Sequence, residues 1–429
     1  MRTKQATPGP SEHRHPSLRQ LLLVSIAATA FGCGHDPGTI LDGGAGTVRV
    51  TVDPIEPVPA PLTPWNDREA IVTLDGSTSP EAFADSHQLS LLEVLDSEQG
   101  PVARYGLPPG VDAEDLVGEP GALASDENIV VTLGEGQNLF LGFYEGEWSR
   151  ETVDDQQWFD EMGLAELHDV TGGEGVVIAA LDTGAYFEHP FFTDGSLLEL
   201  TPDWGFSSRE EHDGLDNDRD GEIDEAYGHG THVAGVLLTV APKATVIPIR
   251  VLNDDGVGSL WDILRGIDVA RKIGADIVNL SLCLSASNAS TQLALRDAFQ
   301  SGASAVAAAG NYGNASPKYP ATSPFALGVA SVDAKRILSG FSGSGHLIHL
   351  AAPGENILSA YPPDALRSAQ GTSIATPIVT GCIALVMSGR SIASREAVGY
   401  LRDTASPIVP SNGVQYGFVE PAAAIDFVP

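Results

Sequence analysis

The stretch EAYGHGTHVAGVLL, residues 225–238, sets two histidines three apart among glycines and runs directly into an apolar segment. It admits two readings. His229 and His232 either pack together at the start of a buried helix, or one of them is held there for chemistry. Histidines on apolar helix faces are ordinarily core residues with a satisfied hydrogen bond, so the decision rests on what the rest of the chain carries.

Outward from this stretch, apolar runs alternate with amphipathic segments. GVVIAALD, ATVIPIRVL, ADIVNLSL, ASAVAAAG and ALGVASV are near-continuous Val/Ile/Ala runs, whereas LWDILRGIDVARKIG and STQLALRDAFQSG read as helices. Strands without alternation are covered on both faces, which predicts an α/β fold with a doubly wound, mostly parallel sheet. Such sheets bind ligands beyond the carboxyl ends of their strands. The reactive side chains fall there. ALDTG puts Asp182 at a strand end, GHGTHVAG opens a helix with His229, and GTSIATP places Ser373 at the start of the apolar helix IATPIVTGCIALVM. Hydrolysis of an amide needs a nucleophile, a base for its proton, and a carboxylate that orients the base and stabilises its charge. A serine at a helix N-terminus gains from free N–H groups and the positive dipole end.

Each string alone is common. Together, in the order Asp, His, Ser and each in its structural context, they resemble the subtilase (subtilisin-like) serine peptidases over about residues 152–427. The resemblance implies a serine endopeptidase that cuts peptides through an acyl-enzyme, with Asp182, His229 and Ser373 as its triad. His229 is then the general base and His232 a packed neighbour. Asn311, in AAAGNYG, matches the side-chain amide of the family's oxyanion hole, paired with the Ser373 N–H. DDGVGSLWDIL and NLSLCLS resemble the two edges between which a peptide inserts as an extra strand. That implicates Gly256, Gly258, Ser281 and Leu282, with Leu260, Ile263 and Leu282 lining an apolar pocket or serving as ordinary core. Two positions depart from the family. Cys283 stands where subtilases usually have glycine, which narrows the neighbouring pocket. Lys318 falls at the expected pocket floor, where a cation favours an acidic or polar residue before the cut, or else it points to solvent. The rival reading, a catalytically silent binding protein on this scaffold, would have lost a site residue, and none is missing.

Residues 67–148 carry their own pattern. EAIVTL is a strand, SPEAFADSHQL a helix, SLLEVLD and VARYGLP strands, VDAEDLVG a short helix and NIVVTLGE the closing strand. That β-α-β-β-α-β order is ferredoxin-like. Directly ahead of the peptidase domain, 149–429, it resembles the family's inhibitory prodomain, an intramolecular partner that the enzyme removes itself. The cut is expected around 145–153. Residues 1–33 read as an export signal: Arg2, Lys4, Arg14 and Arg19 precede LLLVSIAATAFG, which is too short for an ordinary spanning helix. AFGC resembles a bacterial lipobox that would leave a lipid-anchored Cys33, while ATA before Phe31 also fits ordinary secretory cleavage. Both predict an exported protein, either anchored at a membrane surface or secreted. The Pro/Gly-rich segment 34–66 is a tether. Cys283 and Cys382, inside apolar segments, read as buried thiols rather than a disulfide framework.

Charge separates the two halves. Of a net −34, all arises before residue 226: 44 acidic and 10 basic residues lie through Glu225, and 13 of each follow. No basic patch offsets phosphate repulsion, so nucleic acid is excluded as a partner, and a monomer acting on peptides is expected. The densest run, DGLDNDRDGEIDE, spaces Asp216, Asp218, Asp220 and Asp224 at positions 1, 3, 5 and 9 of a calcium-type loop, with the Glu222 carbonyl at 7. Tyr227 occupies position 12, where a complete EF-hand has Glu. The expectation is a structural calcium ion, with a plain solvated acidic loop as the alternative.

Overall fold

The computed structural model describes residues 49–50, 68–133, 140–144, 149–193, 195–313 and 317–426. The expected export signal, Cys33 and nearly all of the tether lie outside the described residues. The first module opens with β1 (Glu69–Leu74), whose six residues are all buried, and continues into α1 (Pro80–His87). Ser79 caps that helix by accepting the Ala82 N–H, and Pro80 follows at the first helical position, where its missing N–H costs nothing. Then come β2 (Ser90–Ser97), β3 (Gly100–Gly106), a 3-10 turn (Ala113–Leu116) and β4 (Ala122–Glu127). They form an antiparallel sheet in the order β2-β3-β1-β4, the arrangement of a split βαβ module.

One element differs from expectation. The apolar run read as the closing strand leaves this sheet; the closing strand is the more polar ALASDE, β4. Val130–Thr132 is instead β5, the middle strand of a separate antiparallel three-stranded sheet. Its partners are β9 (Val257–Ser259) and β11 (Cys283–Leu284) of the following domain. Val131 is fully buried there, so the apolar character of the run serves that domain's core rather than its own module.

After β6 (Phe140–Phe143), which pairs with the strand Ala365–Ala369, the large domain follows. Its sheet contains β7 (Val177–Asp182), β8 (Thr245–Arg250), β10 (Ile277–Leu280), β12 (Ser304–Ala308), β13 (Ala326–Val332), β14 (Leu350–Pro353) and β17 (Gly417–Phe418). All neighbours are parallel, in the order β8-β7-β10-β12-β13-β14-β17. Its helices include α2 (His229–Val240), α3 (Leu260–Lys272), α4 (Ala289–Gln300) and α5 (Thr372–Arg390). The hairpin β15 (Ile357–Tyr361) and β16 (Ala365–Ala369) precedes α5. The chain goes from β7 outward to β8 and then returns to β10 on the other side of β7. This reversal opens a crevice at the carboxyl end of β7, the place where doubly wound sheets bind ligands.

Candidate active site

Asp182 ends β7 and His229 begins α2, so the reversal of strand order brings them together. His229 Nδ1 donates to Asp182 Oδ1 at 2.6 Å, with both side chains buried. The Thr183 N–H donates to the same oxygen at 2.8 Å. The two elements can approach because residue 230 is glycine: a Cβ there would lie 2.0 Å from the Gly184 carbonyl oxygen. His232, one turn on, lies between two backbone carbonyls, with Nε2 3.1 Å from Ile357 O and 3.1 Å from Arg367 O. Burial, with His229 adding to it, pushes its pKa down to about 3, so it stays neutral and fastens α2 to the β15–β16 hairpin. The opening pair thus divides: one histidine faces a carboxylate and the other is packed between carbonyls.

Ser373 is fully buried in the first turn of α5. A chain of side chains fixes that turn over the sheet. Thr380 Oγ1 donates to Asn279 Oδ1, Asn279 Nδ2 to Ser281 Oγ, and Ser281 Oγ to the Ser373 carbonyl, at 2.8, 3.0 and 2.8 Å. Asn311 is set by the residue before the serine. Its Oδ1 accepts the Thr372 N–H at 2.8 Å and the Thr372 hydroxyl at 2.9 Å, which turns its NH2 group away from Thr372.

Glu210 is a residue the motifs did not announce. Thr183 and Thr231 donate their hydroxyls to its two oxygens, at 2.8 and 2.5 Å. Each hydroxyl already accepts a backbone N–H, from Gly230 and Tyr186 respectively, so each is free to donate to the carboxylate. Glu210 therefore joins the residue after Asp182 to a residue two past His229. Desolvation raises its pKa to about 7 against the pull of these donors. Nothing in a short string marks it, because it comes from a loop between the two motifs.

The two segments expected to edge the cleft, β9 and β11, both pair with β5, which lies between them. Val131 pairs with Gly258 and Leu284, Thr132 with Cys283, and the Leu133 N–H donates to the Gly256 carbonyl at 3.1 Å. Gly256 has φ +71°, and a Cβ on it would lie 2.9 Å from the Leu133 side chain. Leu260, Ile263 and Leu282 are fully buried and share one apolar cluster with Val131 and Leu133. Beside β5 is a cavity of about 350 Å3 whose lining includes Thr132, Cys283, Tyr312 and Lys318. Cys283 is buried in its wall, and Lys318 holds its ammonium 4.5 Å from the Tyr312 ring centroid. The lysine is thus at the pocket, turned onto an aromatic face.

The acidic loop separates into clusters rather than one ligand ring. Asp216 and Asp218 approach Asp255; Asp218 and Asp220 approach Glu225; Asp224 lies instead with Asp213 and Asp254. Glu222 belongs to no cluster among the described residues. The reason is the chain beyond the loop: Asp254 and Asp255, just past β8, reach into it, and a spacing rule confined to residues 216–227 cannot see them.

With this geometry in place, likeness to known proteins is informative. The subtilase family model matches residues 173–418. Thermitase from Thermoactinomyces vulgaris is 37% identical over 251 residues, 56% of this chain and 84% of that protein. Subtilisin BL from Lederbergia lenta is 34% identical over 262 residues, 59% of this chain and 91% of its own. Fervidolysin from Fervidobacterium pennivorans, described as a keratinolytic enzyme related to subtilisin, superposes with a TM-score of 0.68 at 19% identity. That match covers 90% of this chain and 63% of fervidolysin, and it speaks for the fold. The chain belongs to the subtilase family and is a subtilisin-like serine endopeptidase.

Proposed function

We propose that this endopeptidase is made as an exported zymogen whose first module blocks its own cleft. The observation that carries this reading is β5, seated between β9 and β11 as a substrate strand would be. In the mechanism, Ser373 Oγ attacks the peptide carbonyl while His229 Nε2 takes its proton, and Asp182 holds the opposite ring nitrogen and stabilises the imidazolium. The Asn311 amide and the Ser373 N–H receive the oxyanion. His229 then gives the proton to the leaving amine. Water, activated by the same imidazole, releases the acyl group and restores the serine. Leu260, Ile263 and Leu282 receive an apolar side chain several residues before the cut, and Lys318 biases the pocket at the cut toward acidic or polar groups.

In β5, Thr132 opposes Cys283 in antiparallel pairing, two residues from Ser281, whose hydroxyl is bonded to the Ser373 carbonyl. The chain that follows β5 holds the self-cleavage, around 145–153. For cofactors, the oxygen-only donors of Asp216, Asp218, Asp220, Asp255 and Glu225 suit a hard cation such as calcium, which would supply charge compensation to the loop and take no part in the chemistry. Export rests on the basic-then-apolar N-terminus, with a lipid on Cys33 as one form and plain secretion as the other.

The test is to follow the mass of the full-length chain in calcium beside Ser373→Ala. Loss of the first module in the wild type alone, with a new N-terminus within 145–153, supports the zymogen and the expected cut together. A first cut elsewhere would refute those bounds and keep the zymogen. If both chains stay intact although folded, the scaffold is a silent binder.

A further inference from the structure

We propose that Glu210 is a positioning residue of the peptidase: through Thr183 and Thr231 it locks the end of β7 to the start of α2, and so sets the angle at which Asp182 holds His229. The inference rests on the triad proposed above. It adds a residue that touches neither the substrate nor the reacting atoms.

The Asp182–His229 contact has little else to fix it. Asp182 Oδ1 takes both the His229 ring N–H, at 2.6 Å, and the Thr183 N–H, at 2.8 Å. Oδ2 is buried without a hydrogen-bond partner among the described residues. The orientation of the carboxylate therefore follows the placement of residues 183 and 229 relative to each other. Two cross-bonds set that placement: the Gly230 N–H donates to Thr183 Oγ1 at 2.9 Å, and the Tyr186 N–H to Thr231 Oγ1 at 2.8 Å. Glu210 joins the two, because its Oε1 accepts the Thr183 hydroxyl at 2.8 Å and its Oε2 the Thr231 hydroxyl at 2.5 Å. Both threonines are buried, so no water competes for the ring of bonds.

The seat of Glu210 is itself fixed. Gly184 has φ +99°, and a Cβ there would lie 2.7 Å from the Glu210 backbone nitrogen. The Ala185 N–H donates to the Ser208 carbonyl at 2.8 Å, and the Glu210 N–H donates back to the Ala185 carbonyl at 3.2 Å. Arg209 pairs with Glu188 and Glu199, and Glu211 with Arg250. Glu210, between them, meets two hydroxyls and, among the described residues, no cation. A desolvated carboxylate without a cation is a costly way to join two segments, and desolvation does hold its pKa up at about 7. Apolar packing would join them at lower cost. What the carboxylate adds is direction, since it aims two hydroxyls at fixed points, and a catalytic pair has to be held to within about 0.5 Å.

The experiment measures kcat and KM on a small chromogenic peptide at pH 8, above the Glu210 pKa of about 7. Active serines are counted with a fluorophosphonate, so that incomplete release of the first module is not read as slow chemistry. Glu210→Ala should lower kcat about 10- to 100-fold and leave KM within about twofold. Glu210→Gln should recover most of the loss, because its amide keeps one acceptor for a hydroxyl and meets the other as a donor. Thr183→Val should cost about as much as Glu210→Ala, and the double variant no more than either, since the ring acts as a unit. In the full-length Ser373→Ala chain, the downfield proton resonance of the Asp182–His229 bond should shift in Glu210→Ala and return in Glu210→Gln. A folded Glu210→Ala with parental kcat and an unmoved resonance overturns the proposal and leaves Glu210 a structural tie. A change in KM alone, or additive losses in the double variant, overturns it as well. His229→Ala separates the two readings: if it keeps activity, the triad has failed, whereas its loss beside a normal Glu210→Ala removes the positioning role alone. Should Glu210→Ala misfold, Thr183→Val and Thr231→Val, each lacking one donor, decide on the same readouts.

Discussion

The two main sheets of the molecule are held together by different means. In the parallel sheet every residue of β10, β12 and β13 is buried, and α5 is apolar on all sides because it is packed on all sides. In the antiparallel sheet β2 alternates exposed and half-buried residues along its whole length, leaving Leu92 46% exposed. Its own core is a small cluster around Phe83, Tyr105 and Leu74. What the small module lacks in core it recovers by docking. Glu93 accepts the Trp261 indole N–H at 2.7 Å and pairs with Arg265, Asn128 accepts the Trp261 N–H, and Asp126 sits at the start of α4. Apolar burial scales with module size, so a module this small depends on its neighbour. The larger domain carries by far the larger apolar cluster, the division expected of the removable inhibitor proposed above.

The hardest test of that contrast is Phe83→Ala in the full-length Ser373→Ala chain. Truncating a buried phenylalanine costs about 3–5 kcal/mol. Amide protection should collapse in β1–β4 and persist in β7–β14; equal loss in both would mean the sheets fold as one unit. The next effect in size belongs to the large domain. Asn311→Ala should lower kcat/KM by about two to three orders of magnitude while leaving thermal stability nearly unchanged. A loss under about tenfold would mean that the oxyanion is held by other donors.

How far these features could be read beforehand depended on whether they were local. Continuous Val/Ile/Ala runs reported burial on both faces, so β7, β8, β10, β12 and β13 were legible, and with them the strand-end position of Asp182. His229, Asn311 and Ser373 sit in strings whose glycines mark close backbone approach. Val130–Thr132 was misassigned because an apolar run states that it is buried and not against which sheet. The further acids around the loop were hidden for a different reason: Asp254, Asp255 and Glu225 join Asp213–Asp224 only through tertiary contact. Glu210 was silent for the same reason, since its two threonine partners lie 27 and 21 residues away.

Glu210 also offers a pH handle on the large domain alone. Its folded pKa of about 7 lies above the ordinary 4.5, so between those values the folded chain holds a proton that the unfolded chain has released. The associated stability is fully present below about pH 4.5 and is lost as pH rises through 7. A shift of this size is worth about 2–3 kcal/mol, trimmed because the residue keeps a solvent-facing edge. Glu210→Gln, in the Ser373→Ala background, should flatten that slope in urea titrations run from pH 5 to 8. A slope equal to the parent's would show that Glu210 titrates normally and that the pH dependence arises elsewhere.

The smallest effect bears on docking itself. Helix α4 is capped twice. Its own Asn288 accepts the Thr291 N–H at 2.8 Å, while Asp126 of the small module accepts the Ala289 N–H at 3.2 Å and the Ser290 N–H at 2.7 Å. The negative carboxylate meets the positive helix end, a contact made across the two modules. If the module is the cleaved inhibitor proposed above, Asp126→Ala should weaken its inhibition by about 1 kcal/mol, roughly fivefold in the inhibition constant, and the difference should shrink in high salt. Asn288→Ala is the matching change on the other side, and it should lower the stability of the larger domain by itself because that cap is internal to it. An inhibition constant unmoved by Asp126→Ala would mean that the helix contact adds nothing to docking. The small sheet would then be held by β5 and the Trp261 contacts, and its dependence on the larger domain would lie in the cleft rather than along α4.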